Sequence, residues 1–437
     1  MADWRSATIG DFFDLSSGFA FKSEEFLAAG IPVIKIKNIK AGYFSDHDFS
    51  YVSEEFFSSR ANKLAKFNDL LISMSGNRHD GSPETWVGKV ANFRKCGRYF
   101  INQRVGALRP KRDSEVDVRF AAFLFSSIPY QELFISIATS SGGQANLSPR
   151  QVLSAPFRYP SIEIQRSIGE TLGALDDKIE LNRRMNETLE AMARAIFKDW
   201  FVDFGPTRAK MEGRPPYLAP DIWSLFPALL DDEGKPEGWN AGSLSDVASL
   251  NPESWSRMIY PEMVDYVDLS NTKWGTIEAI TPYTREAAPS RAQRILRPGD
   301  TIVGTVRPGN GSYAYVSVQG LTGSTGFAVL RPKDQIFREV VFLAVTAKEN
   351  IDRLAHLADG GAYPAIRPEL VTATELVTAP ERLFAAFSAT TSALIERAEA
   401  NKQESQTLAA TRDFLLPKLM SGEVRVREAE KAVEAAQ

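Results

Sequence analysis

Two polar loops, each following an apolar run, hold the side chains best suited to recognising another molecule. The first is SMSGNRHDG (Ser73 to Gly81), carrying Ser75, Asn77 and Arg78. Asn102, Gln103 and Arg104 lie nearby in sequence, and Lys35, Lys37 and Asn38 belong to an earlier segment. The second is TVRPGNGSY (Thr305 to Tyr313), carrying Thr305, Arg307, Asn310, Ser312 and Tyr313. Ser324 and Thr325 come after it; Arg285, Arg291, Arg294 and Arg297 come before. Arg, Asn and Gln can make two hydrogen bonds to a base edge, whereas Lys, Ser and backbone N–H groups suit phosphates. A single polar loop is ordinarily just solvated; two in corresponding places carry more weight.

Catalytic constellations are not found. Gly309-Asn310-Gly311 and Gly323 to Gly326 run into no helix and read as hairpin turns rather than a cofactor cradle. Asn251-Pro252 lacks the second proline and aromatic of an amino-methyltransferase site. There is no Walker sequence for ATP and no acid pair with a lysine for a nuclease. Ser75-Gly76 and Ser141-Gly142-Gly143 have no His/Asp context for a nucleophile. The three histidines, His47, His79 and His356, are scattered, and no Cys/His cluster has zinc spacing. The chain reads as a non-enzyme with no metal and no cofactor of its own.

Composition bounds the rest. A net charge of −4 over 437 residues argues against binding nucleic acid through bulk positive charge, while leaving local basic surfaces open. Hydrophobic content of 43% supports ample core. The lone Cys96 excludes an internal disulfide framework and suits a reducing cytosol. MADWRSATIG lacks a signal-peptide pattern, and the most apolar run, Val340 to Val345, is too short to span a bilayer. A cytoplasmic location with no membrane partner is expected.

The loops need something to hold them, and the strongest structural signal is Ser161 to Trp200. Ile168, Leu172, Leu175, Ile179, Leu189, Ala193 and Ile196 recur in steps of three and four, with Met185 and Met192 beside them and Asn182 interrupting the seam. That makes one apolar stripe on a helix and asks for a helical partner. A second, weaker copy follows: Phe387, Leu394, Asn401, Leu408 and Leu415 lie 219 residues after Ile168, Leu175, Asn182, Leu189 and Ile196. Asn182 and Asn401 fall near the helix centres, so antiparallel pairing brings the two amides together, where polar seam residues commonly fix register. Forty helical residues rise about 60 Å. With eight Asp/Glu against six Lys/Arg, the first helix suits a protein partner or solvent better than phosphate.

The rest of the chain is also written twice. Trp4, Asp11 and Leu15 match Trp239, Asp246 and Leu250; KFNDLLIS (Lys66 to Ser73) matches RPGDTIVG (Arg297 to Gly304). ALRP (Ala107 to Pro110) matches VLRP (Val329 to Pro332), and SGGQANLSP (Ser141 to Pro149) matches DGGAYPAIRP (Asp359 to Pro368). Asn68 and Gly299, both tolerant of positive φ, precede Asp69 and Asp300 in a tight turn before a strand. Strands are expected over Ile31 to Ile39, Leu70 to Ser75, Trp86 to Phe93 and Val105 to Leu108. Their counterparts are Val264 to Leu269, Thr301 to Val306, Tyr313 to Val318 and Gly326 to Leu330. Ser148 to Gln151 reads as a capping box with proline at the first helical position. Val202 to Gly238, rich in proline, reads as a connector with one short helical turn around Trp223 to Leu230, and the tail beyond Gly422 as frayed.

Laid out this way, the chain resembles the specificity (S) subunit of type I restriction–modification systems. The resemblance rests on IPVIKIKNI, NDLLISMSGN, QANLSP, LNRRMNETLEAMARAIFKDWFVDFGP, PEGW at Pro236 to Trp239, FLLPKLMSGEV at Phe414 to Val424, and the order domain, helix, domain, helix. It departs at the start of each long helix, where the family's Pro-Pro-Glu-Gln is here Tyr159-Pro160-Ser161-Ile162-Glu163-Ile164-Gln165 and Ala379-Pro380-Glu381-Arg382.

The resemblance implies an α+β fold: two target-recognition domains of mixed sheet plus helices, two long helices forming an antiparallel coiled coil between them, and an internal pseudo-two-fold repeat. The expected parts are recognition domain 1 (1–160), central helix (161–200), Pro-rich linker (201–238), recognition domain 2 (239–380), C-terminal helix (381–422) and tail (423–437). It further implies that each domain reads half of a split double-stranded DNA target, that the helices dock two methyltransferase subunits, and that restriction/translocase subunits complete the assembly. S-adenosylmethionine, ATP and Mg belong by this resemblance to those partner subunits. On the residues alone two other classes stay open: a stand-alone adenine DNA methyltransferase or nuclease with a diverged active site, and an oligomeric coiled-coil protein without DNA function.

Overall fold

The computed structural model describes residues 4–79, 85–141, 143–256, 258–358, 364–426, 428–429, 431 and 433. Asp80 and Gly81 of the first polar loop, Gly142, and the stretch 359–363 of the second repeat lie outside the described residues. The chain is α+β and divides into two compact units, 1–180 with 405–437 and 181–404.

In the first unit a four-stranded antiparallel sheet orders Phe13–Ser17, Val105–Pro110, Asp69–Ser73 and Val90–Phe93. Asn68 turns the chain into Asp69–Ser73 at φ 67°, the positive value its position suggested. A second sheet orders Ser50–Val52, Ile31–Ile34 and Phe100–Ile101, the last pair parallel. Arg5–Thr8 pairs with Pro156–Tyr159. Ser148 caps the helix Pro149–Ser154, its hydroxyl accepting from the Gln151 N–H. The core joins Phe13, Leu70, Ile72, Phe120, Phe125 and Phe157 to Ile168, Leu172 and Leu175, and to Leu408, Leu415 and Leu419.

The second unit uses the same strand order: Ala248–Leu250, Phe327–Pro332, Thr301–Gly304 and Tyr313–Tyr315, all antiparallel. Its second sheet orders Thr281–Thr284, Met263–Val267, Leu321–Ser324 and Ala292–Ile295, with Met263–Val267 and Leu321–Ser324 parallel. Gly299, at φ 94°, supplies the turn that Asn68 supplies in the first unit. The core joins Leu330, Phe342 and Leu343 to Phe197, Trp200, Phe201, Phe384 and Phe387.

The long helices are Ile162–Phe201 and Glu381–Ser421. They run antiparallel: Asp176 pairs with Arg412 in the first unit; in the second, Asn186 meets Ala398 and Phe201 stacks on Phe384. Asn182 and Asn401 are buried, but their side-chain amides do not bond each other: the Asn182 amide donates to the Asn401 backbone carbonyl at 3.4 Å and to Glu404 Oε2 at 2.7 Å, and the Asn401 amide donates to Asn186 Oδ1. Ile179, Leu189, Ile196 and Leu394 are half-buried, while Phe197 and Trp200 carry the buried stripe at the helix end.

Several local expectations change. The strand from Ile31 ends at Ile34, because Asn38 Oδ1 accepts the Lys35 N–H at 2.9 Å and winds Ile36–Asn38 into a 3₁₀ turn. The strand expected from Trp86 starts at Val90, since Gly88 sits at φ 80°. Val264 to Leu269, Thr301 to Val306, Tyr313 to Val318 and Gly326 to Leu330 become Met263–Val267, Thr301–Gly304, Tyr313–Tyr315 and Phe327–Pro332. The linker holds two helices, Gly205–Met211 and Pro220–Ser224, because Pro206 and Pro220 occupy first-turn positions where no N–H is missed. The tail is not simply frayed: Ala429 and Val433 are buried in the first core. Among the described residues no single helix is long and apolar enough to cross a membrane.

Candidate nucleic-acid interface

In the first unit the backbone gathers the predicted residues at one end of the sheets. The Asn102 N–H donates to Ile34 O at 3.0 Å, Gln103 N–H to Phe19 O at 2.9 Å, and Met74 N–H to Arg104 O at 2.8 Å. These bonds place the 102–104 turn between the end of Ile31–Ile34, with Lys35 and Lys37, and the exit of Asp69–Ser73 toward Ser75, Asn77 and Arg78. Asn146 then binds two of them: its Oδ1 accepts from Ser75 Oγ and from Arg104 Nη1, each at 2.8 Å. Asn146 lies on Gln144–Asn146, which pairs with Ser75–Gly76. In the sequence Asn146 stands only within the repeat segment QANLSP, and its two-hydrogen-bond side chain is the signal that could have placed it at the site.

Exposure sorts the group. Lys37, Arg78, Gln103 and Arg104 are exposed, and Lys35, Asn77 and Asn102 half-buried. Arg78 Nη2 donates to Ala138 O at 2.6 Å, and the Asn77 amide to Thr85 Oγ1 at 3.0 Å. Lys35 donates to Ser50 Oγ at 2.8 Å and lies over the Phe26 ring; burial, with Lys37 nearby, lowers its pKa. Ser75 is buried. Asn38 is 1% exposed and spends its amide on Ser45 O and His47 O, so its side chain shapes the turn instead of facing outward.

In the second unit Thr301–Gly304 leads into the second loop. Thr305, Ser312 and Tyr313 are buried, with Thr305 Oγ1 bonded to Gly326 O at 2.8 Å and Ser312 Oγ to Leu269 O at 3.0 Å. Burial raises the Tyr313 pKa. Arg307 and Asn310 are exposed, and Arg307 adopts φ 48°. Arg291 and Arg285 are also exposed. The Arg291 carbonyl accepts from Thr325 N–H at 2.8 Å, tying that arginine to the 324–325 turn. Arg294 is half-buried, donates to Ser254 Oγ at 3.2 Å and has its pKa lowered by burial. Arg297 is committed to Glu253, with Nε and Nη2 each at 2.6 Å.

Polar clasps seat each sheet on its helix. In the first unit Lys95 bridges Glu180 at 3.1 Å and Asp46 at 2.8 Å, and Arg94 pairs with Asp177. In the second, half-buried Lys402 holds Glu399 at 2.8 Å, Glu190 at 3.2 Å and Gly275 O at 2.9 Å, while Ser317 Oγ donates to Glu399 at 3.0 Å. Sequence reading missed these lysines and acids because ion pairs remote in sequence leave no periodic trace. Among the described residues no group of three or more His, Cys, Asp or Glu could hold a metal ion.

The comparisons with known proteins agree with this layout. Residues 1–191 match the family of the type I restriction modification DNA specificity domain. The specificity subunit of type I restriction enzyme HindI, from Haemophilus influenzae, is 24% identical over 97% of this chain and 100% of its own length. That of MjaIX, from Methanocaldococcus jannaschii, is 25% identical over 98% of this chain and 94% of its own. The crystal structure of the type I restriction–modification S subunit from M. genitalium shares the fold, with a TM-score of 0.55 at 17% identity and 96% of both chains covered. Along nearly its whole length the chain is similar to type I restriction enzyme specificity subunits.

Proposed function

We propose that this chain is the sequence-specific DNA-recognition subunit of a type I restriction–modification complex and performs no chemistry itself. Each unit supplies one reading head, and the two heads address different halves of a bipartite double-stranded target. The long helices form an antiparallel coiled coil that docks methyltransferase subunits, two per complex, and, where present, restriction/translocase subunits. S-adenosylmethionine, ATP and Mg act on those partners, and the complex works in the cytoplasm. An internal pseudo-two-fold repeat underlies this arrangement.

One observation carries the reading. The same strand order occurs in both units, and at the same exit from it hang loops of unlike sequence: Ser75, Asn77 and Arg78 after Asp69–Ser73, and Arg307 and Asn310 after Thr301–Gly304. A shared frame with different polar loops suits a protein that reads two different short sequences. The assigned contacts are Lys35, Lys37, Ser75, Asn77, Arg78, Asn102, Gln103 and Arg104 in one head, and Arg285, Arg291, Arg294, Thr305, Arg307, Asn310, Ser312 and Tyr313 in the other. Buried members among them act through backbone placement.

Co-expression with the methyltransferase partner, followed by genome-wide mapping of methylated adenines, tests this. A single split motif that disappears when this chain is omitted is expected. Methylation that is unchanged without the chain, or methyl transfer by the purified chain alone, would overturn the proposal.

A further inference from the structure

A hairpin in the second unit places an indole where the backbone favours asparagine. Thr272 pairs with Ile277 and Lys273 with Thr276, leaving Trp274-Gly275 as a two-residue loop. Both loop residues have positive φ, 47° and 87°. That is the signature of a type I′ turn, where Asn-Gly is the common pair and a bulky first residue is strained. Strained backbone persists only where neighbours hold it, and it gathers at binding sites.

The neighbours here hold one side only. The Trp274 N–H donates to Gly311 O at 2.7 Å and the Gly275 N–H to Tyr313 O at 2.9 Å. The indole meets Tyr313 edge to face, with ring centroids 6.0 Å apart. A Cβ on Gly311 would fall 2.5 Å from the indole, so only glycine lets the ring lie across the second polar loop. Yet Trp274 stays 60% exposed. The strain displays an aromatic surface instead of burying one. Exposed Lys273 is its neighbour in the hairpin, and exposed Arg307, itself at φ 48°, begins the turn that Gly311 closes.

We propose that Trp274 is an aromatic platform of the second reading head, stacking on a nucleobase of bound DNA; this rests on the DNA-recognition reading above. In a duplex the base faces are covered by neighbouring pairs, so the indole would stack at a partly unstacked step of the bound DNA; every base has a π-face, so such stacking adds affinity with little sequence preference. Trp274 then grips the second half of the target while Arg307 discriminates within it.

The test uses the full chain assembled with its methyltransferase partner. Trp274→Asn gives the turn its favoured residue and removes the ring. Its unfolding temperature is expected to match or exceed wild type, while Kd for the target duplex rises roughly 5- to 100-fold with the same base preferences. Trp274→Phe should retain part of the affinity, and the tryptophan-emission change on adding duplex should shrink in it. If Trp274→Asn binds as wild type while the wild-type complex is sequence-selective, the platform is wrong and the DNA-recognition reading stands. If the wild-type complex shows no sequence-selective binding, both fall. If Trp274→Asn loses stability and affinity together and Trp274→Phe restores both, the indole is a clamp on Gly311 and the platform is again wrong.

Discussion

Arg109 grips Asp69 through two parallel hydrogen bonds, Nε to Oδ1 at 2.8 Å and Nη2 to Oδ2 at 2.7 Å. Arg331 grips Asp300 in the same way, at 2.8 and 2.9 Å, and this bonding raises the Arg331 pKa. Both aspartates are buried. Removing one partner of such a pair leaves a charge uncompensated, which costs about 3 kcal/mol. Asp69→Ala is therefore expected to lower the thermal midpoint of the first unit by roughly 6–12 °C, measured by calorimetry. A midpoint unchanged would show that the bidentate pair is not a structural joint.

The helix seam gives a second expectation. The Asn401 amide donates to Asn186 Oδ1 at 2.8 Å, and both residues are buried. Asn401→Ala strands that acceptor, at a cost of about 1–3 kcal/mol. The second unit should unfold roughly 2–12 °C lower, whereas Leu181→Ala, at an exposed neighbouring position, should leave it in place.

Acid should weaken the second unit through Glu253. Hydrogen bonds from Arg297 and then Arg331 hold its carboxyl below the usual glutamate range. A depressed folded pKa means the stabilisation is complete above the unfolded value near 4.3 and fades as pH falls through the folded one. Between about pH 4.5 and 3 the wild-type midpoint should fall more steeply than that of Glu253→Gln. Parallel curves for the two proteins would rule the linkage out.

The exposed arginines of the two loops should report on separate halves of the target. In the assembled complex Arg78→Ala is expected to relax or weaken one half-site and Arg307→Ala the other, each by about 1–3 kcal/mol, read by methylation of duplexes carrying single base changes. Wild-type preferences in both variants would remove these loops from the reading surface.

Much of this was legible in the sequence, for physical reasons. The long helices announced themselves because an apolar stripe repeats over forty residues, and the turns at Asn68 and Gly299 because few residues tolerate positive φ. What stayed hidden depends on residues distant in the chain. Asn38 looked like a free amide until the turn it caps was seen. Asn146 looked like framework until Ser75 and Arg104 were found on it. Trp274 carries no periodic signal at all; only the pairing of Thr272 with Ile277 shows it to be a hairpin tip.

The grips of Arg109 on Asp69 and of Arg331 on Asp300 sit where their central strands begin, whereas the polar loops hang where those strands end. Four or five residues of extended chain, about 13–17 Å, lie between. Exchanging the exposed loop residues Arg78, Arg307 and Asn310 therefore leaves the joinery untouched, so under the proposed function the reading surface can vary while the frame that folds stays the same.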